Sequence, residues 1–226
     1  MSDVKATTTR YGQVYEELRT LLVSGGYEPN TRLTEADLTS RFGASRGTIR
    51  SVLIRLAQEG YVTSEVNRGV RTRSFTIEEA ADILEARETL EAALAAKAAE
   101  RATDREIAEL RRTLEAMEQA QERGDQAAYT RGNRAFHQQV KAAAHQATLA
   151  RTYDTLLYPL VMRQYRNISA RHPRAGSLAE HRAILLAIVT RNPEAASAAM
   201  RLHVGSARRA LLLDQRRRAS DSGGRS

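Results

Sequence analysis

Residues 33–62 read LTEADLTSRFGASRGTIRSVLIRLAQEGYV, and this stretch decides the fold. Thr34 is placed to cap a short helix running through Leu38 to about Phe42. Asp37 lies in its first turn, where a negative charge meets the positive end of the helix dipole. Gly43 breaks that helix and Ser45 caps the next. In this next helix Ile49, Val52, Leu53 and Leu56 recur at helical spacing and form one buried face, ending at Gly60. Upstream, Val14, Leu18, Leu21 and Leu22 give residues 10–24 the same period, which Gly25-Gly26 stops; Pro29-Asn30 makes a turn. Downstream, Tyr61 to Val66 and Val70 to Phe75 alternate, and Asn67-Arg68-Gly69 joins them with the turn chemistry of a β-hairpin. Three helices and a hairpin in about 65 residues is the order of a winged helix-turn-helix.

In such a domain the third helix enters a DNA major groove with its N-terminal residues at base edges. Here those residues are Ser45, Arg46, Gly47, Thr48 and Arg50. Arg46 and Arg50 are four apart and share a helix face away from the apolar one. The arginine fork can bond guanine O6 and N7 together. Gly47 leaves room for close approach, and Arg68 and Gly69 sit at the hairpin tip, where a wing meets the minor groove or the backbone. The bland alternative is a small helical domain with solvated arginines. An arginine at a helix start opposes the dipole, which argues against that alternative.

From residue 76 the pattern is helix after helix. Thr76 with Glu79, and Thr103 with Glu106, have capping-box spacing, Asp125 is a further cap, and Ser177 with Glu180 repeats the box. A helix expected from about Thr148 to Arg171 contains Pro159, which should kink it. Asn192-Pro193 opens a last helix to about Asp214. The expected fold is mainly α: a winged helix-turn-helix over 1–75, an all-α bundle of about six helices over 76–214, and a disordered basic tail over 215–226.

Charge and composition fit this division. The 226 residues carry a formal net charge of +8. Residues 1–75 hold +3, residues 76–207 only +1, and residues 208–226 +4. A basic excess favours polyanionic partners, nucleic acid first. There is no cysteine, which excludes disulfides, zinc–thiolate sites and thiol catalysis. No apolar run approaches the roughly 18 residues of a membrane span, and the N-terminus has no apolar core of a signal peptide. A cytoplasmic protein without a membrane partner is expected. The sequence holds no phosphate loop, nucleotide fingerprint or Ser–His–Asp pattern.

The stretch Leu33 to Val62 resembles the DNA-binding domain of the GntR family of bacterial regulators. It keeps Leu33, Glu35, Leu38, Phe42, Gly43, Ser45, Arg46, Arg50, Leu53, Leu56, Glu59, Gly60 and Val62 of the family pattern. It departs at Gly47, often a threonine, and at Ser51, often a glutamate.

Three of the five histidines stand on apolar stripes of different helices. His137 follows Tyr129, Asn133 and Phe136; His181 lies with Leu178, Ile184, Leu185 and Ile188; His203 lies with Ala196, Met200, Ala207 and Leu211. Each alone reads most simply as a core side chain bonded to a neighbour. Three imidazoles converging in a bundle are well satisfied by a divalent metal. Asn133 and His137, at i and i+4, can reach one point. Arg87 lies on the stripe Ile83, Arg87, Leu90, Leu94, and a buried arginine needs an anion. That anion is a ligand carboxylate or, more plainly, Glu91 one turn on. Arg163, in line with Leu156, Leu160 and Asn167, is a second candidate.

Residues 76–214 are similar to the FCD domain, the effector-binding helical domain of the fatty-acid-regulator branch of the same family. The resemblance lies in Asn133-Arg134-Ala135-Phe136-His137, in Glu180-His181-Arg182-Ala183-Ile184, and in the run from Ala196 to His203-Val204. It implies a divalent ion of Zn, Ni or Mn type held by His137, His181, His203 and Asn133, the last replacing an aspartate. It also implies an organic-acid effector whose carboxylate meets Arg87, with Arg163, on its own stripe, as the weaker candidate. The resemblance implies a bacterial, nucleoid-associated regulator, expected to be a repressor. As a homodimer it would bind pseudo-palindromic double-stranded operator DNA and release it when the effector arrives. A hydrolytic enzyme using the three histidines, and a protein binding DNA through charge alone, are the alternatives.

Overall fold

The computed structural model describes residues 9–65, 69–165 and 177–223. They fall into two compact units, Met1–Thr76 with Pro159–Arg166, and Ile77–Tyr158 with Asn167–Ser226.

The first unit opens with α1 (Arg10–Ser24), whose N-cap is Thr9 and whose C-cap is Gly25 at φ 104°. Then come β1 (Arg32–Leu33), α2 (Glu35–Phe42), α3 (Arg46–Gln58), β2 (Val62–Glu65) and β3 (Gly69–Thr72). Thr34 and Ser45 cap α2 and α3 as expected, through Asp37 N and Thr48 N. Val14, Leu18 and Leu22 of α1 are buried together with Leu38, Phe42, Ile49, Val52, Leu53 and Leu56. Each such side chain contributes roughly 1.5–3 kcal/mol by leaving water. The strands form an antiparallel sheet in the order β1-β3-β2. Val62 faces Thr72 in the hairpin, and Arg32 faces Arg71 on the other edge. β1 is an addition to the expected hairpin. At two residues it has no period to read, and it forms because the backbone on either side of residue 31 meets Thr72.

The second unit contains α4 (Ile77–Arg101), α5 (Asp104–Glu122), α6 (Gln126–Ala143), α7 (Ala147–Thr155), α9 (Ser177–Val189) and α10 (Pro193–Gly223). Between α7 and α9 lies α8 (Tyr158–Gln164), all of which but Tyr158 counts with the first unit. α4 packs chiefly on α10, α5 on α6, and α9 on α10. Alanines 80, 92, 95, 98 and 99 of α4 are buried and bring its neighbours close. At Gly132 a Cβ would stand 2.5 Å from Met117 Cγ, so α6 meets α5 over a glycine. The core holds Leu110, Met117, Phe136, Ile184, Ile188, Met200 and Val204.

Three expectations differ. The helix expected across Pro159 is two helices, broken at Leu156 and Leu157. Proline at the second position of α8 cannot donate back to Thr155, so the chain restarts there. Residues 159–166 pack with the first unit rather than the bundle. Leu160 and Val161 are buried there. The last helix continues past Asp214 to Gly223, so 215–223 are not a disordered tail. The added stretch begins with Gln215, three arginines and Ala219, all good helix formers. Among the described residues no helix is long and apolar enough to cross a membrane.

Candidate DNA-binding surface and metal centre

The start of α3 is presented to solvent. Ser45, Arg46, Gly47 and Arg50 are exposed and Thr48 is half-buried. Ser45 Oγ accepts from Thr48 N at 3.1 Å and lies 2.9 Å from Thr48 Oγ1, which fixes the first turn. Arg50 is held by Glu35 of α2 through two parallel bonds, Nε to Oε1 at 3.0 Å and Nη2 to Oε2 at 3.3 Å. This bidentate contact keeps the Glu35 carboxyl below its ordinary range. The Arg50 side chain stays 69% exposed, so the pair aims it without covering it. At Gly47 a Cβ would meet nothing nearer than Ser45 Oγ at 3.9 Å. Gly69 is exposed at φ 80° beside the hairpin turn, and Arg68 lies outside the described residues.

The second site is buried. α6, α9 and α10 bring His137, His181 and His203 together so that one ring nitrogen of each lies within 4.8 Å of the others. Their exposures are 7%, 0% and 1%. Each Nδ1 faces an acceptor. His137 Nδ1 is 2.5 Å from Glu91 Oε2, His203 Nδ1 is 2.8 Å from Glu180 Oε2, and His181 Nδ1 is 2.6 Å from Ser177 O. A carbonyl or carboxylate can only accept, so each Nδ1 carries the hydrogen and each neutral ring keeps its lone pair on Nε2. The Nε2 atoms of His137 and His203 stand 3.1 Å apart. Two lone pairs at that distance require a cation between or beside them, a proton or a metal. Metal–imidazole bonds of about 2.0–2.1 Å place ligand nitrogens about 3–3.5 Å apart; the His137–His203 pair has that spacing, and all three ligand nitrogens lie within 4.8 Å of one another. Nδ1-bound carboxylates are the usual outer shell of such ligands.

Asn133 stands one turn before His137 on α6, and its Oδ1 is buried without a hydrogen-bond partner. So is the Tyr129 hydroxyl a further turn back. Buried oxygens without partners are uncommon, and both lie on the stripe that presents His137. The donor set is thus three imidazoles and an amide oxygen.

Arg87, also predicted, joins this cluster through Glu91. Its Nε donates to Glu91 Oε1 at 2.5 Å and its Nη2 is 3.5 Å from His137 Nδ1. Its Cζ lies 3.6 Å from the centroid of the Tyr158 ring. Burial alone would raise the Glu91 carboxyl, but Arg87 and His137 outweigh it and hold the acid far below its ordinary range. Burial likewise works against the Arg87 charge, and Glu91 outweighs it. Breaking such a buried pair from one side costs about 3–5 kcal/mol. Arg163 is not with the histidines. It belongs to the first unit, where it bonds Leu22 O, Gly25 O and Glu28. The roles of Glu91 and Glu180 toward the histidines escaped the sequence reading. Glu91 registers there only as a partner for Arg87, and Glu180 falls about 100° off the His181 stripe.

Residues 10–71 match the model of the bacterial regulatory proteins of the gntR family, and residues 82–206 match the FCD domain. The chain belongs to the FCD-domain branch of the gntR family. It is a DNA-binding transcriptional regulator. This GntR-family regulator is 26% identical over 190 residues to the HTH-type transcriptional regulator YdhC of Bacillus subtilis strain 168, covering 84% of this chain and 85% of that one. It is also 26% identical over 199 residues to a probable D-xylose utilization operon transcriptional repressor of Paenarthrobacter nicotinovorans, covering 88% and 87%. Its fold matches E. coli McbR/YncC with a TM-score of 0.73 at 21% identity, over 92% of this chain and 99% of that one. A GntR regulator from Rhodococcus sp. RHA1 follows with a TM-score of 0.70 at 22% identity, over 90% and 97%.

Proposed function

We propose that this regulator is an effector-released repressor. As a homodimer it binds a pseudo-palindromic operator with one winged helix on each half-site, because the symmetry of the protein mirrors that of the DNA. Ser45, Arg46, Gly47, Thr48 and Arg50 read the major groove; Gly69 and Arg68 meet the adjacent backbone or minor groove. The observation that carries the regulatory half is the convergence of three buried histidines with every Nδ1 already held. His137, His181, His203 and the Asn133 amide oxygen would hold a divalent ion of Zn, Ni or Mn type. When bound, it supplies positive charge whose open positions a carboxylate can complete. Asn133 leaves the donor set without charge of its own, which favours an anionic effector, an organic acid. Arg87 is the side chain of this chain placed to orient it, in exchange with Glu91. Tyr129 and Asn133 offer further polar atoms on the same stripe.

The cluster supports binding better than hydrolysis. Both nearby carboxylates are committed: Glu91 to Arg87 and His137, and Glu180 to His203 and Ser206. A hydrolase needs a base free to take a proton from water.

Fragmented genomic DNA retained by the protein at about 150 mM salt, where pure phosphate contacts weaken strongly, tests the reading. Sharp sites sharing an inverted repeat, lost in Arg46→Ala and released by an organic acid, are expected. Diffuse recovery that Arg46→Ala leaves unchanged would remove the recognition-helix assignment.

A further inference from the structure

α8 is built into the DNA-binding unit, although its chain belongs between helices of the effector unit. Leu160 and Val161 are buried there. α1 has no basic residue in its own last turn. Arg163, 141 residues on, supplies the missing donors to the end of that helix. Its Nη1 donates to Leu22 O at 3.3 Å and its Nη2 to Gly25 O and Glu28 Oε1, both at 3.2 Å. This is a C-cap delivered from a distance, on carbonyls that a helix end leaves open. Gly25 itself turns at φ 104°, and a Cβ there would stand 2.9 Å from Arg163 Nε, so the arginine packs closely over the turn. Gln164 pairs with the backbone of Phe75 from both sides: it accepts from Phe75 N at 3.0 Å and donates to Phe75 O at 2.7 Å. The Tyr165 hydroxyl donates to the same carbonyl at 2.8 Å.

Both chain segments that α8 and Phe75 continue into lead to one side chain. Phe75 runs on to α4, which carries Arg87 and Glu91. Tyr158, the residue before Pro159, is the ring on which Arg87 lies, at 3.6 Å. Tyr158 is the first residue of α8, and Pro159 next to it fixes its own φ, so that ring is joined to the rest of the helix by a short, stiff link. Anything that draws the Arg87 guanidinium toward a new anion, or displaces Glu91, changes what the Tyr158 ring packs against.

We propose that α8 is a clasp: Tyr158 senses the state of the Arg87–Glu91–His137 cluster, and residues 159–165 pass that state to the end of α1 and to Phe75 in the DNA-binding unit. This rests on the reading of the cluster as a ligand site. A ligand shifts the clasp only by the difference in its affinity for the closed and the open form.

Zinc is the probe, with two readouts on the full chain: calorimetry for binding, and amide hydrogen exchange for the clasp. Zinc that binds and changes exchange in 159–165 and 19–28 by roughly fivefold or more, the lower edge of ordinary coupling, is the expected result. Gln164→Ala should then bind zinc as the wild type does, while exchange in those two segments no longer responds. Zinc that binds with changes confined to the surroundings of His137, His181 and His203 overturns the clasp and leaves the ligand site standing. A Gln164→Ala response equal to the wild type overturns it as well. No heat of zinc binding overturns the metal reading, and the clasp with it. The wild-type comparison needs no variant, so a folding defect in Gln164→Ala cannot shelter the proposal.

Discussion

Gly47 does nothing for the helix that contains it. Gly47 stands in the first turn of α3; glycine to alanine at a site that alanine can adopt without strain stabilises by about 0.4–1 kcal/mol, chiefly through the unfolded chain, and the nearest atom to a Cβ here would be 3.9 Å away. Gly47→Ala should therefore raise stability by about 0.4–1 kcal/mol in a denaturant melt while weakening operator binding in an anisotropy titration. A destabilised variant would mean that α3 itself needs the glycine. The Glu35–Arg50 pair makes a complementary case. Glu35→Gln removes one charge from a bidentate contact that aims an exposed arginine. The expected result is unchanged folding and a broader base preference, seen when single-base operator variants compete; an unaltered preference would detach Glu35 from recognition. At this scale the sequence was generous with the histidines, because each sits on an apolar stripe of its own helix. It was mute about Glu91 on His137 and Glu180 on His203. Those bonds join residues 46 and 23 apart on different helices, and only packing decides them.

Helix starts were legible because capping is local chemistry. The Thr103–Glu106 box, Asp125 and Asn192 cap as their types suggest, with Asn192 Oδ1 accepting from Ala195 N at 2.9 Å. Helix ends and short elements were not. β1 is two residues, and the break at Leu156-Leu157 follows from a proline that sequence alone could only mark as a kink. The capping box also has a pH signature. Glu106 is held below the ordinary carboxylate range, first by the Thr103 backbone N–H, and His145 and the Thr103 hydroxyl add to it. A depressed carboxyl stabilises above its unfolded value, about 4.3, and loses that contribution as pH falls through the folded value. Protection of the first amides of α5 against exchange should thus weaken on acidification below about pH 4.3 and be flatter in Glu106→Gln. Equal slopes in both proteins would show that the box does not set the stability of that end.

For the molecule as a whole, an ion held by the buried cluster would tie ligand binding to stability. A ligand that binds only the folded state adds about 2.7 kcal/mol at a hundred times its Kd. Zinc or nickel should accordingly raise the melting temperature, and His181→Ala should lower metal content and the metal-dependent part of that shift together. Full metal occupancy in His181→Ala would replace the ligand set. The sequence pattern changes to helix after helix at residue 76, where the nearly neutral middle also begins. Neither pattern nor charge could tell that eight residues from the middle of the second segment return to the first unit, because Leu160 and Val161 look the same in either core.

That return sets a rule for exchanging parts between regulators. A hybrid joined only at residue 76 would graft a foreign winged domain onto a helix whose arginine expects the carbonyls of Leu22 and Gly25, and whose glutamine expects Phe75. The native winged domain, moved elsewhere, would leave the end of α1 without its donor. Modular swaps in this chain therefore have to carry residues 159–166 along with 1–76, two pieces of gene for one piece of protein.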